Sequence, residues 1–152
     1  MRGATKGWKR CYKWLACTRS ANKCNFTSSV TRESFQIKDV ITCKDANVIY
    51  IIECTKCQNK PQYVGKSTRC LMTRGREHIA TVDNGNLVNA AFTGSGKMYH
   101  HFTTNNHSSR DMMIYAIEKV HGDATTCFVR ERFWMNRLDT HRNNNGLNTY
   151  KT

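Results

Sequence analysis

Residues 47–53 (NVIYIIE) form a β-branched and aromatic run of strand length, apolar at odd and even positions alike. Such a run predicts a strand buried on both faces. A turn-like stretch with Asn59 and Pro61 leads into Gln62-Tyr63-Val64, close enough to pair with the first strand as an antiparallel hairpin, and Gly65 is expected to break it. Ser67 or Thr68 can cap a helix running through Cys70, Leu71, Arg74, His78 and Val82, which Asp83-Asn84-Gly85 ends. Gly94-Ser95-Gly96 marks a loop. Residues 111–120 (DMMIYAIEKV) are the third strand candidate. After Gly122 and Asp123, Thr125 or Thr126 opens a helix through Phe128, Glu131, Trp134, Met135 and Leu138. A polar turn at 143–146 precedes Leu147-Asn148-Thr149-Tyr150. The order β-β-α-(α)-β-α predicts an α+β domain: a small three-stranded, mainly antiparallel sheet flanked by helices. Residues 1–45 read as a basic, cysteine-containing extension, and 46–152 as the domain proper.

Composition narrows the function classes. A chain of 152 residues is one domain's worth and can bury a core, and 39% hydrophobic content with three Trp, six Phe and six Tyr excludes wholesale disorder. No apolar run approaches the roughly 18 residues of a membrane span, and no apolar h-region follows the basic N-terminus. The expectation is a soluble, intracellular protein with no membrane partner. The net charge of +13 repels itself and suits a polyanion, nucleic acid before an anionic membrane surface; the plain alternative is a solubilising excess. Residues 1–24 hold seven cations and no acid, with Trp8, Tyr12 and Trp14 among them. Lys6, Trp8, Lys9, Arg10, Lys13 and Trp14 thus suit tracking of phosphates and stacking on bases, joined by Lys66 beside the second strand. The competing reading is a basic tail whose tryptophans pack on the domain.

The eight cysteines favour metal over a disulfide framework, which wants a secretion signal. Cys54-Thr55-Lys56-Cys57 has the spacing at which two thiolates close on one zinc, and His101 and His107 could supply two imidazoles, with His100 competing for the place of His101. A redox pair is the alternative, but no thioredoxin-like βαβ unit surrounds it. Cys11, Cys17, Cys24 and Cys43 could hold a second zinc despite irregular spacing, whereas Cys70 and Cys127 read as buried thiols.

Two further signals point to phosphate chemistry. Arg74 and His78 stand four apart and share a helix face, where a guanidinium can grip a phosphate with two donors; a solvated pair is the bland reading. Glu131 falls between Met135 and Leu138 on the helical wheel and interrupts an apolar stripe, so it needs a strong partner. That partner is either a hard cation such as Mg²⁺ or one of the arginines.

Taken in order, Val48-Ile49-Tyr50, Tyr63-Val64-Gly65, Arg74 with His78, Glu131-Arg132-Phe133-Trp134 and Gly146-Leu147-Asn148 resemble the five motifs of the GIY-YIG nucleases. More narrowly, Asn47-Val48-Ile49-Tyr50 followed by the Cys54/Cys57 pair, His101-Phe102 with His107, and a helix ending in Phe133-Trp134 resemble the endonuclease domain of Penelope-like retroelements. The likeness runs from about Cys11 to Tyr150. Val48 stands where the family name has glycine, a substitution that branch shares, and its Cys-bearing insert separates the two tyrosines.

The resemblance implies a role for each matching position. Tyr50 and Tyr63 would line the active site and orient or deprotonate water, Arg74 would stabilise the pentacoordinate phosphate, and His78 would assist proton transfer. Glu131 would hold a single Mg²⁺, Asn148 would support the geometry, and Cys54, Cys57, His101 and His107 would hold a structural zinc. It further implies nicking of chromosomal DNA in the nucleus to leave a 3′-hydroxyl for reverse transcription. The partners would be DNA and the reverse transcriptase domain of the same polyprotein with its template RNA. Two other expectations compete: a non-catalytic zinc-dependent nucleic-acid-binding module, and a thiol-based redox protein.

Overall fold

The computed structural model describes residues 5–11, 14–85, 95–141 and 145–149. Its elements are β1 (Gly7–Lys9), α1 (Leu15–Arg19), β2 (Asn25–Thr27), β3 (Ser34–Gln36), β4 (Val40–Thr42), β5 (Val48–Cys54), β6 (Gln62–Ser67), α2 (Leu71–Asn84), α3 (Gly96–Thr103), β7 (Met112–Lys119) and α4 (Ala124–Leu138). The chain is α+β. Its main sheet has the order β6-β5-β7 with both pairings antiparallel, and every residue of the central β5 is buried. An apolar run without alternation therefore does become the strand covered on both faces.

Gly65 does not break β6, contrary to the sequence expectation. It pairs with Tyr50 inside the ladder, and a Cβ there would stand 2.5 Å from Cζ and Oη of Tyr50. The missing side chain makes room for the Tyr50 ring to cross the neighbouring strand. Register also puts Ile52 opposite Tyr63, so Tyr50 and Tyr63 sit diagonally on one face of the sheet, ring centroids 6.3 Å apart.

Helix boundaries shift for local hydrogen-bonding reasons. α2 begins after Cys70, not after Ser67 or Thr68, because the Ser67 hydroxyl donates to the carbonyl of Arg69. Its C-cap is Gly85, in the left-handed region at φ 63°. Asp123 caps α4 by accepting from the Thr126 backbone N–H at 2.9 Å, so the threonine donates instead of capping. On α4, Trp134, Met135 and Leu138 are buried while Phe128, Val129 and Phe133 are exposed. The apolar stripe is thus narrower than the wheel predicted, and Glu131 interrupts it, half-buried, one turn from both Cys127 and Met135.

Among the described residues, the segment ahead of β5 is not a loose arm. β1 and β4 form a parallel pair, β2 and β3 a hairpin, and their apolar side chains join the same core as the main sheet. Trp8 is fully buried and donates from Nε1 to Ser20 Oγ, and Trp14 lays its ring over Gly75 of α2, where any Cβ would collide with it. This corrects the expected stacking of Trp8 and Trp14 on bases: neither face is available, because both rings fill the core. Lys6 is exposed and Lys9 and Arg10 partly so, whereas Lys13 lies outside the described residues. Cys127 is buried as expected, but Cys70, at the start of α2, is partly exposed. No helix among the described residues is long and apolar enough to cross a membrane.

Candidate active site and metal centre

An open cleft of about 240 Å³ lies between β6, α2 and α4. β6 contributes Tyr63 and Lys66, α2 contributes Arg74, α4 contributes Glu131 and Arg132, and the C-terminal segment contributes Asn148. Among the described residues, three cations and one carboxylate, Glu131, line this space, a field that attracts an anion and includes one hard oxygen ligand. Arg74 is partly tied back: its guanidinium meets Glu77 at 3.2 Å, and Arg69 holds both oxygens of Glu77 at 2.6 Å.

Behind the cleft runs a chain of buried rings. Tyr50 Oη is 2.6 Å from Nε2 of His78, and Nδ1 of His78 is 2.6 Å from Oη of Tyr99. His78 is fully buried, and burial, reinforced by the charge of Arg74, pushes it well below the usual imidazole range. It is therefore neutral at neutral pH, with one N–H, and so donates to one tyrosine and accepts from the other. Burial likewise holds Tyr50 well above 10. Tyr63 shares a hydrogen bond with Ser95 Oγ at 2.9 Å and is pushed up to about 12 by burial. Of Tyr50 and Tyr63, Tyr63 faces the cleft, and Tyr50 stands fully buried behind it.

Asn148 works through the backbone of the sheet edge. Its Oδ1 accepts from the Val64 N–H at 2.8 Å and from Thr140 Oγ1 at 2.7 Å, and its Nδ2 donates to the Val64 carbonyl at 2.9 Å. β6 is an edge strand, and this amide occupies the hydrogen-bonding place of a missing neighbour between Tyr63 and Gly65. Leu147 adds a backbone bond to Gln62, and Gly146 is required where the chain passes the Thr140 carbonyl, which a Cβ would strike.

On the far side of α3, the ligand atoms of Cys54, Cys57, His101 and His107 lie within 4.8 Å of one another. Cys57 Sγ is 3.7 Å from Nε2 of His101 and 3.2 Å from Nε2 of His107. Nδ1 of His107 faces the carbonyls of Thr104 and Asn105 at 3.1 Å, so it carries the proton and leaves Nε2 for a metal. Cys54 closes β5, and the neighbouring Thr55 is bonded to Asp111 at the threshold of β7. The set could hold one zinc ion, with His101 and not the exposed His100 turned toward it. Of the four upstream cysteines, Cys11, Cys17 and Cys43 converge, with Cys11 and Cys43 joined in a disulfide, while Cys24 is exposed and stands outside the group. The four-cysteine expectation is corrected accordingly, because β1 and β4 run parallel and carry Cys11 and Cys43 to the same end.

Ser95, Tyr99, Arg132 and Thr140 escaped the sequence reading as site residues. Tyr99 stands two positions before His101, on the opposite face of α3. A helical reading of residues 96–103 would have paired a metal face with a tyrosine face. Comparison with protein-family models, curated proteins and solved structures found no match.

Proposed function

We propose that the chain is a divalent-metal-dependent DNA endonuclease of the GIY-YIG kind, most like the endonuclease domain of Penelope-like retroelements. The observation that carries this reading is the cleft itself. Four residues singled out by motif order, Tyr63, Arg74, Glu131 and Asn148, come from four separate parts of the chain and meet there, with His78 and Tyr50 directly behind.

The reaction suited to this wall is hydrolysis of a phosphodiester: a water oxygen bonds to phosphorus as the P–O3′ bond breaks, leaving a 3′-hydroxyl and a 5′-phosphate. Arg74 would bind a non-bridging oxygen where negative charge builds. Lys66 and Arg132 would hold the flanking phosphates. Tyr63, a neutral phenol, would orient the water through its oxygen lone pairs, with Ser95 fixing its hydroxyl. His78 and Tyr50 would keep that ring wall rigid and dry. Among the described residues Glu131 is the one carboxylate that lines the cleft, which fits an ion that takes one protein oxygen and fills its other positions with water and phosphate. Mg²⁺ held there would supply Lewis acidity at the phosphate.

The four-ligand Cys/His site would be a structural zinc that fixes α3, and the exposed and cleft-side cations would bind DNA. In this reading the biological use is a nick in chromosomal DNA, in the nucleus, that primes a reverse transcriptase of the same polyprotein copying its RNA. The test is to incubate supercoiled plasmid with the protein and Mg²⁺ and extend the products with a polymerase. Nicked circles extendable without end repair are expected, with Arg74→Ala inactive yet still binding DNA. Tight, salt-sensitive binding with no metal-dependent nicking would establish the non-catalytic binding module instead.

A further inference from the structure

We infer that in the reduced chain Cys11, Cys17 and Cys43 form a second zinc site, three thiolates on one ion with its fourth position left to solvent or an added ligand. The three sulfurs lie within 4.8 Å of one another, with Cys11 and Cys43 bonded in the oxidised chain and Cys17 beside them. A tetrahedral ion with Zn–S bonds of about 2.3 Å places its thiolates about 3.8 Å apart. Cys17 Sγ sits 3.5 Å from Cys11 Sγ, close to that separation.

A disulfide between Cys11 and Cys43 leaves the third sulfur unexplained. Cys17 Sγ is fully buried, and the backbone N–H of Cys11 donates to it at 2.9 Å. Cys43 is also fully buried, and Cys11 is half-buried and open to an incoming ion. Placement adds a structural rationale: Cys11 and Cys17 bracket the entry to α1, and Cys43 follows β4, so one ion would tie the N-terminal segment to the loop that leads into β5. The Cys43 carbonyl accepts from the Met72 N–H, which extends that tie to the first turn of α2.

The two states of these residues interconvert with a balanced reaction. Two molecules of a thiol reductant give two electrons and two protons to the Cys11–Cys43 bond, forming two cysteine thiols and one reductant disulfide. Zn²⁺ then replaces the three thiol protons of Cys11, Cys17 and Cys43, releasing them to solvent. The site is independent of the nuclease reading, since none of its atoms lines the cleft.

The experiment is metal and thiol counting on the full chain purified with zinc under a thiol reductant. Two zinc ions per chain are expected for the wild type, one for Cys17→Ser and one for Cys57→Ser. A single zinc in the wild type, with Cys11 and Cys43 recovered as a disulfide-linked peptide pair under the same reductant, overturns the proposal. So does a Cys17→Ser protein that retains two ions. Should Cys17→Ser fail to fold, cobalt replacement in the wild type decides. Charge-transfer absorption fitting five thiolates, three here and two from Cys54 and Cys57, supports the site, and absorption fitting two contradicts it.

Discussion

Tyr99 Oη lies 2.6 Å from Nδ1 of the fully buried His78, and its helix carries His101 to the Cys/His cluster two residues later. One short helix therefore faces two centres. Ser95, just ahead of α3, extends the same logic by holding Tyr63. Whatever seats α3 seats the rear wall of the cleft.

Tyr99→Phe removes one partner of a buried imidazole while keeping the ring volume. The orphaned nitrogen should cost about 1–3 kcal/mol of stability. Nicking should fall on the order of tenfold, with zinc content unchanged. Urea denaturation, plasmid nicking and metal analysis on one preparation check this; unaltered stability and rate would show the hydrogen bond to be dispensable.

Gly65→Ala tests why β6 tolerates glycine in mid-strand. The added methyl must displace the Tyr50 ring from its place over the strand, at a cost of about 1–3 kcal/mol. A denaturation midpoint equal to the wild type's would mean that the ring has room to move.

The pH dependence follows from His78. Its pKa in the folded state is depressed, by burial first and by Arg74 second, so the unfolded chain binds the proton more readily. Stability from this group is complete above the unfolded value of about 6.5 and is lost as pH falls below it. Acid also acts on the Cys/His cluster, so the informative quantity is the difference between wild type and His78→Gln. That difference should shrink steadily from neutral pH downward. A constant difference would mean that His78 is not held neutral in the folded state.

Cys57→Ser should lose one zinc and lower the melting temperature by several degrees or more. Because α3 also presents Ser95 and Tyr99, nicking should decline with it, and added zinc should not restore either property. Retention of zinc and of thermal stability would remove Cys57 from the ligand set.

The parts of the fold that were legible share one cause: they are written in contiguous residues. The unbroken apolar run of 47–53 became the fully buried centre of the sheet, and CxxC spacing placed two thiols at its end. What was not legible depends on contacts between distant residues. Trp8 and Trp14 look like nucleic-acid contacts among lysines until Ser20 and Gly75 are seen to receive them. Gly65 reads as a breaker until Tyr50 is found across it. Phe128 and Phe133 look like core from their chemistry, yet α4 turns them outward and brings Glu131 to the cleft. Tyr63, Arg74, Glu131 and Asn148, each singled out in the sequence, line one cleft, whereas the link through Tyr99 needed the geometry of α3.

The proposed role of Glu131 as the seat of a catalytic divalent ion is tested most directly by Mg²⁺-dependent nicking of supercoiled plasmid by wild type and Glu131→Ala, with DNA affinity measured alongside. Glu131→Ala is expected to lose about 10³-fold or more in rate at nearly unchanged affinity and zinc content. Undiminished Mg²⁺-dependent cleavage by Glu131→Ala would contradict it.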